Sequence, residues 1–463
     1  MKHAYIVTGL GYGDEGKGTV THWLAQKHSA HTVIRTGGPQ ALHRVVTAFG
    51  RSHVFSQFGS GTLRGSRTHL SRHMLVDPYA IIREGEALEY EGGMRKIFDL
   101  MTIHEEALVI TPFHAIAGRL RELLRGSERR GSVGIGVGET VLDAEAYPAE
   151  AVRARDLASI HLRDKLLSIQ RRKWAEFEEH ADRTAANSPE IVRELEELRS
   201  PETVTWALEW FGELARRVRV VDTSFVAENV LGSAGTVVFE GSQGVLLDRY
   251  YGFHPYTTQV RTIPRAAKLI LEECGYDGSV ASYGVLRAYH TRHGGGPFVA
   301  ESSKLTTDLP DASNKLHPWQ GAFRVGTFDM VAARYAAAVC GNDIDGLVIT
   351  CLDRLMSKGQ WVVCPRYIAD IAGVNIPGVV MRRPNMIVDI LPSALPNPEA
   401  QIAHQAQIEK LLRRCSPTFE WNRFVKGSRK SLTRLCAERL SAELQKPVVA
   451  VSTGETEADK RYL

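Results

Sequence analysis

Gly11-Tyr12-Gly13-Asp14-Glu15-Gly16-Lys17-Gly18-Thr19 follows the apolar run Ala4-Tyr5-Ile6-Val7 and opens a helical pattern that runs from Thr19 to about Lys27. A short apolar run ending in glycines reads as a buried strand entering a loop. Glycines let backbone N–H groups turn inward around an anion, and the start of a helix adds a favourable dipole. Lys17 can neutralise phosphate charge. The spacing Gly11-x-x-x-x-Gly16-Lys17 matches a P-loop frame, but Gly18 stands where Ser or Thr would hold magnesium. Asp14 is the unusual residue, because a carboxylate repels phosphate unless it binds a metal or acts as a base. A plain glycine-rich strand–helix turn is the competing reading. A dinucleotide fingerprint fails because its third glycine falls on Asp14.

Outward from this loop, apolar runs ending in turn residues recur at Thr32 to Arg35, Ala107 to Ile110, Thr236 to Phe239, Gly346 to Thr350 and Val448 to Val451. Helical patterns lie between them, as at Ala80 to Tyr90 and Phe328 to Val339. The alternation predicts an α/β fold: a large, mostly parallel central sheet with flanking helices, a P-loop-like N-terminal phosphate loop and helical excursions. The main excursion is 160–220, charged and helical in pattern, with its charge on a solvated face. Ser302 to Gln320 is polar and turn-rich, and reads as a surface loop.

Composition narrows the classes. The chain has 463 residues, 43% hydrophobic, which supplies a large core and excludes an intrinsically disordered protein. Lys and Arg number 57 against 53 Asp and Glu, so the balance of +4 is not that of a nucleic-acid-coating protein. The six cysteines form no CxxC pair, which argues for reduced thiols in a cytoplasmic setting rather than a zinc knuckle or a disulfide framework. The N-terminal apolar run is too short for a signal peptide, and no stretch reaches the ~18 apolar residues of a spanning helix, so no membrane partner is expected.

Further motifs follow in order: Gly37-Gly38-Pro39-Gln40-Ala41-Leu42-His43, Ser60-Gly61, Val76-Asp77-Pro78, Phe239-Glu240-Gly241-Ser242-Gln243-Gly244-Val245-Leu246-Leu247-Asp248, Thr291-Arg292-His293-Gly294-Gly295-Gly296-Pro297-Phe298, Leu352-Asp353 and Ser452-Thr453-Gly454. With GDEGKG after the first strand, this series resembles the adenylosuccinate synthetases along nearly the whole chain. The resemblance implies a ligase that uses GTP and Mg2+ to phosphorylate the 6-oxo group of an IMP-like purine nucleotide. An amine, by default from L-aspartate, then replaces that group. It implies Asp14 as base and metal ligand, Lys17 and His43 at the transferring phosphoryl group, and Gln243 at the 6-oxygen. The Leu42 carbonyl would be a second metal ligand. Nucleotide contacts would come from Gly13, Glu15, Gly16, Gly18 and Thr19, and from Cys351, Asp353, Ser452, Thr453 and Gly454 around the base. Gln40, Ser132, Arg153, Thr258 and Arg324 would meet the substrates. A homodimer would send Arg153 into the neighbouring subunit's site.

Departures from the family pattern fall on the substrate side. The family's amino-acid loop carries several arginines to grip carboxylates. The matching stretch here is Pro318-Trp319-Gln320-Gly321-Ala322-Phe323-Arg324-Val325-Gly326-Thr327, with Arg324 as its one arginine. Bidentate recognition of a carboxylate has no substitute in Ala322 or Phe323. Arg130-Gly131-Ser132-Val133-Gly134-Ile135-Gly136 keeps the family's glycine frame but not its polar identities, and Cys351 replaces a lysine. The alternatives are therefore a repurposed homologue with another amine or purine, or a nucleotide-binding regulatory protein without catalysis. Because phosphate-site residues lie near the N-terminus and base-site residues near the C-terminus, 1–463 reads as a single domain.

Overall fold

The computed structural model describes residues 1–184, 188–311, 314, 316–369, 376–383 and 385–463. Its centre is a ten-stranded sheet. In chain order the strands are β1 (Lys2–Gly9), β2 (Thr32–Gly37), β3 (Arg67–Met74), β4 (Met101–His104), β5 (Arg219–Val221), β6 (Gly235–Gly244), β7 (Ser279–Arg287), β8 (Gly346–Thr350), β9 (Val448–Ser452) and β10 (Lys460–Tyr462). Across the sheet they run β10-β9-β8-β7-β1-β6-β2-β3-β4-β5. All neighbours are parallel except β10, which runs antiparallel to β9 at one edge. β1 lies in the middle, paired Ile6 with Phe239 on one side and Ile6 with Ser282 on the other. Ile6 and Val7, which point to opposite faces, are both buried, as a parallel sheet covered on two sides demands.

The helix after the phosphate loop, α1 (Lys17–Lys27), starts two residues before the sequence pattern suggests. Gly16, with φ 90°, provides the left-handed turn into it. Val20, Trp23 and Leu24 are buried together with Thr21 and His22, so the helix is covered nearly all round. The helix expected from Phe328 begins instead at Met330, because Asp329 caps it by accepting from the Ala332 N–H at 3.1 Å.

One sequence expectation needs correction, and two strands escaped the sequence pattern. Ala107 to Ile110 is not a regular strand. Leu108 and Val109 form isolated bridges to Arg153 and Val76, wedged between two segments that are not strands, and the regular strand is β4. β3 and β7 are central strands that the apolar-run criterion overlooks. Thr68, His69 and Ser71 bury polar side chains in β3. β7 carries Gly284, where a Cβ would sit 2.5 Å from Leu10. That close approach requires glycine and breaks the hydrophobic run.

The excursion 160–220 is helical as expected: Leu162–Thr184, Pro189–Arg199 and Pro201–Arg217, with 185–187 outside the described residues. Leu166, Phe177, Leu198, Phe211 and Leu214 face a shared core with the helices Pro78–Tyr90 and Pro112–Arg125, and the charges face out except Lys173 and Glu194, which are buried against Glu139 and Arg119. The stretch Ser302 to Gln320 includes a short helix, Ser303–Asp308, while 312–313 and 315 lie outside the described residues.

Candidate active site

The C-terminal ends of six parallel strands open on one edge of the sheet, the place where α/β folds bind ligands. Asp14 and Lys17 follow β1, Gln40 and His43 follow β2, and Gln243 closes β6. Arg287 ends β7, Cys351 and Asp353 follow β8, and Ser452 to Gly454 end and follow β9. Residues 436 positions apart in sequence are thus tied together. Thr19 donates its hydroxyl to the Glu455 carbonyl at 3.0 Å, and Thr350 donates to the Glu15 carbonyl at 2.6 Å.

The phosphate loop is wound around its own carboxylate. Glu15 accepts from the Gly11 N–H at 2.9 Å and the Gly13 N–H at 2.8 Å, and Lys17 Nζ lies 2.6 Å from its other oxygen. Both charges are nearly wholly buried. Glu15 therefore organises the loop from within, its carboxylate taken up by the loop's own N–H groups and Lys17. A Cβ at Gly9 would meet Glu15 at 2.2 Å, so only glycine leaves room for this arrangement.

Asp14 has φ 61°, Gln243 φ 53° and Cys351 φ 58°. Left-handed backbone at non-glycine residues costs roughly 1–3 kcal/mol each and persists where surroundings enforce it. For Asp14 the enforcing groups are visible. Arg287 Nε donates to its carbonyl, and His293 Nε2 lies 3.3 Å from Oδ2. Burial would raise the Asp14 carboxyl, but the His293 hydrogen bond and charge, with Arg287 and Lys17, bring it below the usual range. His293 moves the other way: burial lowers it, and Asp14 lifts it above the ordinary imidazole value.

His43 is held by a residue the sequence reading passed over. Glu240, fully buried in β6, lies 2.6 Å from His43 Nδ1. Glu240 also accepts from the Ser60 N–H at 3.0 Å and from the Ser60 hydroxyl, and Arg35 Nη1 is 3.8 Å away. Burial alone would raise this carboxyl, but Arg35, His43 and Ser60 hold it at about 2. Burial in turn keeps His43 below its usual value despite Glu240. The pair is therefore a neutral imidazole donating Nδ1–H to a carboxylate. Nε2 is left buried with no hydrogen-bond partner among the described residues. An acidic residue inside an otherwise apolar strand was the available signal for Glu240.

Gln243, Gln40 and Thr258 form one cluster. Gln40 Nε2 donates to Gln243 Oε1 at 3.1 Å and to Thr258 Oγ1 at 3.3 Å. At the opposite side, Leu352 N–H donates to the Ser452 carbonyl at 3.3 Å, and Ser452 Oγ donates to the Gly454 carbonyl at 2.9 Å. Asp353 is partly buried, and that burial raises its carboxyl. Lys460, outside every motif, is nearly buried among Asp459, Cys351 and Asp353, and burial lowers its ammonium to about 8. Its Nζ donates to the Thr456 carbonyl at 2.7 Å. Nothing in the local sequence marks it.

The substrate-side residues are arranged differently. Arg324 is committed: Nη1 is 2.6 Å from Glu301, and Nη2 donates to the Gly296 carbonyl at 3.1 Å. Arg153 donates to the Glu106 carbonyl at 3.0 Å, and its guanidinium lies 3.5 Å from the Glu106 carboxylate. Ser132 accepts from the Gly134 N–H at 3.2 Å within its own turn. That turn packs on the glycine loop, where a Cβ at Gly131 would stand 3.8 Å from the Gly295 nitrogen, and Arg129 lies over the Trp319 ring at 5.6 Å. Leu42 is exposed.

Residues 6–401 match the family model described as adenylosuccinate synthetase. The adenylosuccinate synthetase of Brevibacillus brevis is 32% identical over 368 residues, covering 78% of this chain and 80% of the relative. That of Thermoplasma acidophilum is 31% identical over 376 residues, covering 79% of each. Among solved structures, the fully ligated adenylosuccinate synthetase of Plasmodium falciparum aligns with a TM-score of 0.72 at 17% identity, covering 99% of both chains. The cyanophage S-2L succinoaminodeoxyadenylate synthetase, bound to dGMP and dATP as an energy donor, aligns at 0.58 and 17% identity, covering 100% of this chain and 95% of that one. At such identity the two structures bear on the fold.

Proposed function

The chain belongs to the adenylosuccinate synthetase family and is a GTP-dependent carbon–nitrogen ligase acting on a purine nucleotide, and we propose that it activates the 6-oxo group of an IMP-like nucleotide with L-aspartate as the default amine donor. One observation supports this above the others: Asp14, Lys17, His43 and Gln243 converge at the same edge of the sheet, with His43 pinned through Nδ1 and its Nε2 unpartnered.

In the proposed reaction Asp14 takes the N1 proton of the purine, and the 6-oxygen attacks the γ-phosphorus of GTP as GDP leaves. Lys17, released from Glu15 or shared with it, balances phosphate charge. His43 donates from Nε2 once protonated, with Glu240 stabilising the imidazolium through Nδ1. The Gln243 amide can serve the 6-oxygen as carbonyl or as phosphoryl ester. The amine then attacks C6 and phosphate departs. The Asp14 carboxylate and Leu42 carbonyl are hard oxygen donors that fit Mg2+, which takes one or two protein oxygens beside phosphate oxygens. When bound, the ion would neutralise phosphate charge. Asp353 would accept from guanine N1 and N2, which adenine cannot offer, and so set GTP above ATP.

We also propose that the whole chain acts as one catalytic unit in the cytoplasm, as a homodimer that brings Arg153 towards its partner. The described helices include none long and apolar enough to cross a membrane. A second reading, another amine or another purine nucleotide, is favoured by the Gly321-Ala322-Phe323 stretch, which carries no charge, and by the commitment of Arg324 to Glu301. Phosphate release from GTP, scanned over IMP, dIMP, GMP and dGMP against a panel of amino acids and simple amines, tests both readings. Turnover with IMP and aspartate supports the first, and turnover with a different pair selects the second. No turnover with any pair would defeat the proposal.

A further inference from the structure

Asp14 is gripped by two residues that the phosphate loop does not supply. Arg287, at the end of β7, takes its carbonyl, and His293 takes its carboxylate. His293 is the last residue of the strand His290–His293, whose antiparallel partner Phe323–Gly326 sets Phe323 directly opposite. The two rings lie 4.8 Å apart, so Phe323 fixes the plane of the imidazole. Nε2 stands 3.3 Å from Asp14 Oδ2 and 3.2 Å from Asn314 Oδ1. Both neighbours are oxygens without a proton to give, so Nε2 must carry the hydrogen.

We infer that His293 is a positioning residue for Asp14: its Nε2–H holds one carboxylate oxygen in place and leaves the other for the purine N1 proton. The inference rests on the reading of Asp14 as base. It adds that the hairpin on the amine side sets the geometry of that base, with Phe323 as the wall that keeps the imidazole in register. A base displaced by about 1 Å loses on the order of 100-fold in rate, while nucleotide binding need not change.

The test measures kcat and KM for His293→Ala, His293→Gln and Asp14→Asn, with the nucleotide and amine pair that the panel selects. His293→Ala should lower kcat by about 10- to 100-fold with KM for GTP within about twofold. His293→Gln, whose Nε2 amide can reach the same oxygen, should recover most of that loss. Unchanged kcat in His293→Ala would overturn the inference. So would an equal loss in His293→Gln, which would assign the residue to packing on Phe323. Asp14→Asn separates the two levels. If it retains turnover, the base reading falls. If it loses turnover while His293→Ala keeps full kcat, only the role of His293 falls.

Discussion

The two flanks of the candidate site are built by opposite rules. On the phosphate flank, Glu15 with Lys17 is a buried ion pair and Glu240 with His43 a buried carboxylate–imidazole hydrogen bond, each at 2.6 Å, set in and after central parallel strands. On the amine flank, a short two-stranded hairpin carries Gly294, Gly295 and Gly296, aromatic Phe323, and an arginine neutralised by Glu301. Buried charges can be held so closely because each has its partner and the strands cannot move apart. The hairpin is anchored differently: Arg292, buried, donates to the carbonyls of Gly295, Pro297 and Tyr256 rather than to a carboxylate, and Ala322 and Phe323 lie outside that network, exposed and half-buried. The difference teaches that the GTP side is tied by carboxylates buried with their partners, whereas on the amine side the positions that face outward, Ala322 and Phe323, carry no such tie.

Breaking the phosphate flank should have the largest effects. Asp14→Asn removes the base and should lower kcat by about 1,000-fold or more, read as phosphate release. Glu240→Gln should act on both function and folding. It leaves Arg35 with a buried, uncompensated charge, at a cost of about 3–5 kcal/mol in denaturant unfolding, and it lowers kcat because His43 loses its orienting carboxylate. Equal unfolding midpoints for wild type and Glu240→Gln would dissolve the contrast between the flanks.

Smaller effects are expected where the comparison is sharpened rather than broken. Phe323→Arg should lower the KM for aspartate by about 10- to 100-fold, the worth of one charge-assisted contact of about 1.5–3 kcal/mol. An unchanged KM would show that the amine site lies elsewhere. Asp353→Asn should shift the ratio of kcat/KM for GTP over ATP by about tenfold towards ATP. On the amine flank, burial lowers His290 to about 4, and its Nδ1 accepts from the Asp329 N–H at 3.2 Å. Between about 6.5 and 4 the unfolded chain binds a proton there that the folded chain does not. Stability therefore rises with pH across that window and is lost on acidification, by up to about 1.4 kcal/mol per pH unit. Denaturant unfolding at pH 7 and pH 5 should show a smaller difference in His290→Gln than in wild type.

How much of this was legible depended on distance along the chain. The phosphate loop was readable because its glycines, Asp14 and Lys17 are contiguous, and β1, β2, β8 and β9 were readable as apolar runs ending in turns. β3 was hidden because the polar Thr68, His69 and Ser71 are buried in it beside Leu70 and Met74, and β7 because Gly284 makes room for Leu10. The partner of His43 lies 197 positions away, and Lys460 comes within electrostatic range of Asp353 from a turn without a motif, so folding alone places these residues. On the amine flank the missing arginines were plain in the sequence. The capture of Arg324 by Glu301 and the contact of His293 with Asp14 were not, since both depend on hairpin register.

The central claim is that phosphoryl transfer to a purine oxygen survives whatever amine follows. Positional isotope exchange tests it without any amine present. GTP labelled with 18O at the non-bridging β oxygens is incubated with Mg2+, enzyme and IMP. Reversible transfer of the γ-phosphoryl group frees the β-phosphate to rotate, and label then enters the β–γ bridge. The account predicts bridge labelling that requires the purine nucleotide and disappears in Asp14→Asn. Absence of bridge labelling with every 6-oxopurine nucleotide, or its persistence in Asp14→Asn, would contradict it.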